Sequence, residues 1–258
     1  MMAPRPSKPA KQRSQETAHA RRVDPLETAQ FAQHAKDWWD PQGSMAMLHE
    51  INPTRMGYIR QMLSDPQPQE KPLKGMHICD LGCGAGLVSL ALSRLGADVT
   101  GLDATAALIL AGQQQARTEG LPVTFLHMTS DQLAAEGSVF DHLVCLEMLE
   151  HVPDPQSIID DAAALLRPGG TAIFSTLNRT TKSFFGGILF AEYLAGWVPR
   201  GTHQWRRFIK PDELIEMTKK AGFQAKDVTG MSYDPLRGIF HLSDDQSINY
   251  FLTVEKQT

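Results

Sequence analysis

Glu147, Glu150 and His151 stand at positions i, i+3 and i+4, a spacing that a turn of helix gathers on one face. Two carboxylates and an imidazole so placed can do two kinds of chemistry. They can hold a divalent cation, because mixed oxygen and nitrogen donors without thiolate suit Mg, Mn or Zn. Alternatively, His151 can accept a proton as general base, or stack over a substrate, while the glutamates cap local backbone. Pro153 biases Val152 away from helix, so the turn carrying these residues is expected to be short.

A second cluster precedes them. Asp80-Leu81-Gly82-Cys83-Gly84-Ala85-Gly86 follows an apolar run and leads at once into a helical pattern, which allows the backbone to turn sharply and approach a ligand closely. Asp103 lies 21 residues after Gly82, where a carboxylate can accept hydrogen bonds from both hydroxyls of a ribose. Loop and acid together form a nucleoside site. The loop reads G-x-G-x-G, whereas a dinucleotide site uses G-x-G-x-x-G beneath a pyrophosphate. Asp80 beside it would repel phosphate, so the ligand expected has a cationic ammonium or sulfonium centre.

These groups must be positioned by alternating strands and helices. Strands are expected at His77 to Leu81, Asp98 to Leu102, Val123 to His127, Phe140 to Leu146, Thr171 to Thr176, Phe223 to Val228 and Asn249 to Glu255. Helices are expected at Leu87 to Leu95, Ala104 to Thr118, Pro155 to Leu166 and Asp212 to Ala221, which makes an α/β sheet, mostly parallel, with helices on both faces. Ahead of it, helices at Leu26 to Trp39 and Pro53 to Leu63 form an N-terminal cap over residues 25–70. Residues 178–210 interrupt the rhythm and read as an insertion after the fifth strand.

With 42% hydrophobic and 21% charged residues, the 258-residue chain has the composition of a soluble globular protein. Cys79, Cys83 and Cys145, an odd number without a Cys-x-x-Cys pair, argue for a reducing compartment and buried thiols. The net charge of -4 conceals a basic start: residues 1–22 carry six Lys/Arg against Glu16, with no Leu, Ile, Val or aromatic residue. Residues 1–24 are therefore expected to be a disordered basic tail, followed by one domain over 25–258. No run of 18 apolar residues is present to span a membrane.

Outside the glycine loop the sequence is closely patterned. Trp38-Trp39-Asp40, Ile51-Asn52-Pro53-Thr54-Arg55, Glu147 to Pro155, Ser175-Thr176-Leu177-Asn178-Arg179 and Gly201-Thr202-His203 resemble the ubiquinone biosynthesis O-methyltransferases. The likeness covers about Phe31 to Thr258. It implies a class I S-adenosylmethionine-dependent methyltransferase fold with a seven-stranded Rossmann-like sheet. It implies S-adenosylmethionine as methyl donor and a polyprenylated catechol or demethylubiquinol precursor as acceptor, with another small lipophilic substrate as the alternative. Family cofactor contacts fall on Arg55, Gly82, Gly84, Asp103 and Leu146. The reported cation dependence of the family favours Glu147, Glu150 and His151 as ligands of Mg or Zn, with the same three as catalytic residues. Ala85 departs from a glycine common in the family loop. A nicotinamide dehydrogenase, which needs a pyrophosphate site, and a non-catalytic cofactor-binding scaffold are the other classes considered.

Phe184 to Val198 has 11 apolar or aromatic residues in 15, and Arg179, Lys182, Arg200, Arg206, Arg207 and Lys210 surround it. Bases bracketing an apolar patch suit an anionic membrane surface, or a lid over a greasy substrate, and not a nucleic-acid groove. The expected location is the cytoplasmic face of an inner membrane, held peripherally, in preference to a mitochondrial matrix. Other proteins of ubiquinone biosynthesis are candidate partners.

Overall fold

In a computed structural model, residues 20–65, 67, 69–183 and 205–258 are described. The cap begins with α1 (Pro25–Gln33), capped by Asp24, whose carboxylate accepts the Leu26 N–H at 3.0 Å. It continues with α2 (Ala46–Leu63), which starts seven residues before the expected Pro53 and carries that proline inside it. The chain then alternates: β1 (His77–Leu81), α3 (Leu87–Arg94), β2 (Asp98–Asp103), α4 (Ala106–Glu119), β3 (Val123–His127), α5 (Ser130–Ala135), β4 (Phe140–Leu146), α6 (Pro155–Leu165) and β5 (Leu166–Leu177). It closes with α7 (Pro211–Lys220), β6 (Phe223–Asp234), β7 (Ile239–Ser243) and β8 (Asn249–Lys256).

The strands form one sheet in the order β3-β2-β1-β4-β5-β8-β6-β7. β3, β2, β1, β4 and β5 pair in parallel, while β8 runs antiparallel to both β5 and β6. Among the described residues the sheet has eight strands, so the expected seven is corrected. The addition is β7, which folds back on β6 through a turn closed by Gly238 at φ +67°.

Alternate side chains on each strand enter opposite cores. Cys79, Leu81, Leu143, Cys145, Phe174 and Leu252 pack against α6 and α7. Ile78, Val144, Leu146, Ile173 and Phe251 pack against α2 and α3. Tyr58 fixes α2 in register: its ring stacks on Phe251 with centroids 4.5 Å apart, and its hydroxyl donates to Asp227 at 2.7 Å. That single hydroxyl hydrogen being used, Thr253 donates to Tyr58 across the second 2.7 Å contact. Arg55, one turn earlier on α2, is thereby held beneath the strand ends. The three cysteines are free and buried, and burial raises their thiol pKa values.

The first described residues are ordered further out than the expected tail boundary at 24. Ala20 to Arg22 form a helical turn. Arg21 Nε donates to Asp154 and Arg22 Nη2 donates to Asp161, both at 2.7 Å. This N-terminal arm, continuing into α1, crosses the carboxyl edge of the sheet.

Candidate active site

A cavity of about 690 Å³ opens at the carboxyl ends of the strands, between the sheet and the arm with α1 and α2. This is where open α/β sheets bind ligands, because the chain leaves the strands there in turns. One side of the cavity is built by the β1 turn and the end of β2. Gly82, Gly84 and Gly86 have φ of +69°, +56° and +88°, which side chains other than glycine rarely adopt. The space is also taken: a Cβ on Gly82 would lie 2.6 Å from Met148 Sδ, and one on Gly84 would lie 2.6 Å from the Trp38 ring.

Asp103 accepts the Gly84 N–H at 3.0 Å on Oδ2 and the Thr105 N–H at 2.7 Å on Oδ1. The carboxylate lines the cavity, so the acid can meet vicinal hydroxyls there while the backbone holds it still. Burial raises its pKa, against the pull of those two N–H groups. Asp80 is buried below the loop and accepts the Ser89 hydroxyl at 2.6 Å. Burial, reinforced by the charge of Asp103, pushes its pKa up to about 6, against the Ser89 hydrogen bond and the charge of Arg55.

In the middle of the cavity, Glu147 follows the last residue of β4. Its φ of +46° is unique among the described non-glycine residues, and a conformation of that kind persists only where surrounding contacts over-determine it. They do so here. Arg55 pairs with Oε2, while the Ser175 hydroxyl and the Asn249 amide donate to Oε1 at 2.6 and 3.0 Å. Arg55 is 3% exposed, and its Nε–H is buried without a hydrogen-bond partner. A buried orphan donor on a guanidinium is a fitting contact for a carboxylate-bearing ligand.

The expected convergence of Glu147, Glu150 and His151 is corrected. The turn that was to gather them is a short 3-10 segment, Leu149–His151, and Glu147 lies outside it with left-handed backbone. Glu150 is buried away from the cavity, accepts the Thr176 hydroxyl at 2.8 Å, and has its pKa raised by burial. No three His, Cys, Asp or Glu side chains among the described residues are grouped to hold a metal ion. The arrangement does not fit the expected cation, because Glu147 is paired with Arg55 and Glu150 accepts from Thr176 away from the cavity.

His151 does face the cavity, and its Nδ1 lies 3.0 Å from Glu27 of α1. Phe31, one turn further along α1, meets the imidazole edge-to-face at 5.0 Å. Glu27 also accepts from Arg207 at 3.3 Å, and Arg207 pairs with Asp24 at 3.0 Å. Nothing in the sequence marks Glu27, since its partner is 124 residues away. Asn249 likewise lines the cavity without a local signal, whereas Trp38 does so from the Trp38-Trp39-Asp40 motif.

The insertion 178–210 is described only at its edges, and Phe184 to Val198 lie outside the described residues. Of its bases, Arg179 pairs with Glu213, Lys182 with Asp245 at 2.6 Å, and Arg207 with Asp24 and Glu27. Much of the positive charge expected to face lipid is thus neutralised within the fold. No helix among the described residues is long and apolar enough to cross a membrane.

A methyltransferase-domain family model matches residues 47–228. A ubiquinone biosynthesis O-methyltransferase of Azorhizobium caulinodans is 43% identical over 234 residues, covering 89% of this chain and 92% of that protein. This chain belongs to the ubiquinone biosynthesis O-methyltransferase family. Its relatives of that name in Methylocella silvestris and Coxiella burnetii are each 42% identical, covering 91% of this chain and 95% and 97% of theirs. Among solved structures, magnesium protoporphyrin IX methyltransferase from Synechocystis with bound SAH aligns with a TM-score of 0.64 at 20% identity, covering 94% of this chain and 100% of that one. A possible histamine N-methyltransferase from Thermotoga maritima gives the same score at 15% identity, covering 90% and 100%. These two likenesses establish the class I methyltransferase fold.

Proposed function

We propose that the chain transfers a methyl group from S-adenosylmethionine to a phenolic hydroxyl of a polyprenylated ubiquinone precursor. The observation that carries this reading is that Asp103 with its glycine turn and His151 with Glu27 face one cavity. When bound, S-adenosylmethionine supplies a methyl carbon made electrophilic by its sulfonium. Asp103 would hold the ribose hydroxyls, Arg55 Nε the methionine carboxylate, and Leu146 an apolar edge. Asp80 supplies negative charge beneath the loop, which favours a cationic ligand over a phosphate.

The acceptor hydroxyl needs its proton removed, because a phenol of pKa ~10 is mostly neutral at pH 7. With Nδ1–H donated to Glu27, the His151 tautomer carries its lone pair on Nε2, and that nitrogen takes the proton. The oxygen–methyl bond forms as the sulfur–methyl bond breaks, and most of the rate enhancement comes from holding the two in line. Glu147 contributes by fixing Arg55 and the Asn249 amide. The arm and α1 line the cavity with Val23, Glu27 and Phe31.

A polyprenyl tail resides in lipid, so delivery at a membrane surface is part of the proposal, with Phe184 to Val198 as the apolar contact. The test is transfer of labelled methyl to a short-tailed dihydroxy prenyl benzoate, with and without chelator. Transfer that persists in chelator is expected. Loss of turnover restored by Mg would move deprotonation from His151 to a cation, and absence of transfer to any phenol would sink the assignment.

A further inference from the structure

We infer that the β6–β7 hairpin forms the wall that reads the first isoprenoid units of the acceptor, with Met231, Tyr233 and Phe240 as specificity-determining residues, resting on the acceptor chemistry proposed above. The sheet order orients the cavity. Asp103 and the glycine turn lie at the ends of β2 and β1, Glu147 at the end of β4, and Asn249 at the start of β8, beyond which come β6 and β7. Since the nucleoside takes the β2 side and the methyl must be delivered near the centre, whatever the acceptor carries beyond its ring extends toward β6 and β7.

That wall is apolar by register. Met231 pairs with Leu242 and Tyr233 with Phe240, so these four side chains share a face of the hairpin. Met231, Tyr233 and Phe240 line the cavity, and the two rings lie 4.9 Å apart. The edge strand of the wall is fastened to α2: the Thr54 hydroxyl donates to the Phe240 carbonyl at 2.9 Å. Beyond the rings, the hairpin ends in a turn that carries Leu236, 96% exposed, beside the Asp234–Arg237 ion pair. A thioether beside two aromatic rings suits a branched, unsaturated hydrocarbon chain, which offers no hydrogen-bonding groups.

The experiment compares methyl transfer to a tail-less catechol acid with transfer to the same ring bearing one, two or three isoprene units. In the unaltered protein, KM is expected to fall with the first units and then level off. Phe240→Ala should lower kcat/KM for the tailed acceptors roughly tenfold more than for the tail-less one, and Phe240→Leu should recover most of that difference. Cofactor affinity, read by calorimetry, establishes that each variant is folded. A KM in the unaltered protein that ignores tail length overturns the inference without recourse to any variant, as does equal slowing of both acceptors by Phe240→Ala. Failure of the unaltered protein to methylate any of these phenols is a different result: it removes the acceptor assignment itself, and the subsite with it.

Discussion

The imidazole of His151, at the exit of the fourth strand, meets the carboxylate of Glu27 on the first helix at 3.0 Å, so the proposed base is held by an element that also lines the cavity. Burial depresses the His151 pKa, but the hydrogen bond to Glu27 and the charges of Glu150 and Glu27 outweigh both burial and Arg207, and the net shift is upward from the ordinary ~6.5.

A base must be neutral to act, so kcat/KM is expected to rise with pH through this raised pKa. Glu27→Gln removes the charge and should move that limb to lower pH. The plateau should fall by less than the roughly 100-fold that loss of a general base costs. Because the folded pKa lies above the unfolded one, the ion pair stabilises the fold fully below the ordinary histidine pKa and is lost as pH rises through the raised value. Rate profiles and denaturation at several pH values check both; a limb unmoved by Glu27→Gln would leave Glu27 a structural residue only.

Asp80, with its pKa near 6, predicts a pH-dependent affinity for a cationic ligand. Below about 6 the group is neutral; above it the carboxylate attracts a sulfonium. Affinity for S-adenosylmethionine should therefore increase between pH 5 and 7, while affinity for the uncharged thioether product changes little. Calorimetry with both ligands decides it, and parallel profiles would remove Asp80 from the recognition of charge.

Much of this site was legible in residue order. The glycine turn and Asp103 were legible as neighbours because a turn and a carboxylate at the ends of two adjacent parallel strands meet at the same sheet edge. β1, β3 and β4 lie where apolar runs placed them. The eighth strand did not show, because Ile239–Ser243 is short and mixes polar with apolar residues. α5 was missed although Thr129 and Gln132 form a capping box. α2 was shortened because a proline ordinarily starts a helix, whereas here Pro53 lies within one whose earlier residues bury Ile51. The trio of Glu147, Glu150 and His151 misled for a related reason: helical spacing brings residues together only if the helix includes them all, and Glu147 departs from it at φ +46°.

Asp103→Ala is expected to weaken S-adenosylmethionine binding by ~1.5 to 3 kcal/mol, about tenfold to more than a hundredfold. It also releases the Gly84 and Thr105 N–H groups, which both lean on this carboxylate. Asp103→Asn, which retains one acceptor, should lie between. Unchanged affinity in the alanine variant would place the nucleoside elsewhere.

Gly84→Ala combines a left-handed backbone, at ~1 to 2 kcal/mol for a residue with a Cβ, with a Cβ at 2.6 Å from the Trp38 ring. Trp38 must move, so a lower melting temperature, a changed near-ultraviolet signal and weaker cofactor binding should occur together. Normal binding in this variant would show that the loop tolerates displacement.

Besides the apolar packing of Val23 and Phe31, the arm over the cavity is fastened to the body through charge: Arg21 to Asp154, Arg22 to Asp161, and Arg207 reaching back to Asp24 and Glu27. Ionic attraction weakens with added electrolyte, whereas the apolar cores beneath the sheet do not loosen in the same way. The roof and the floor of the cavity therefore answer to different solvents. Added salt is expected to loosen the roof before the floor, and with it to change how quickly a product leaves.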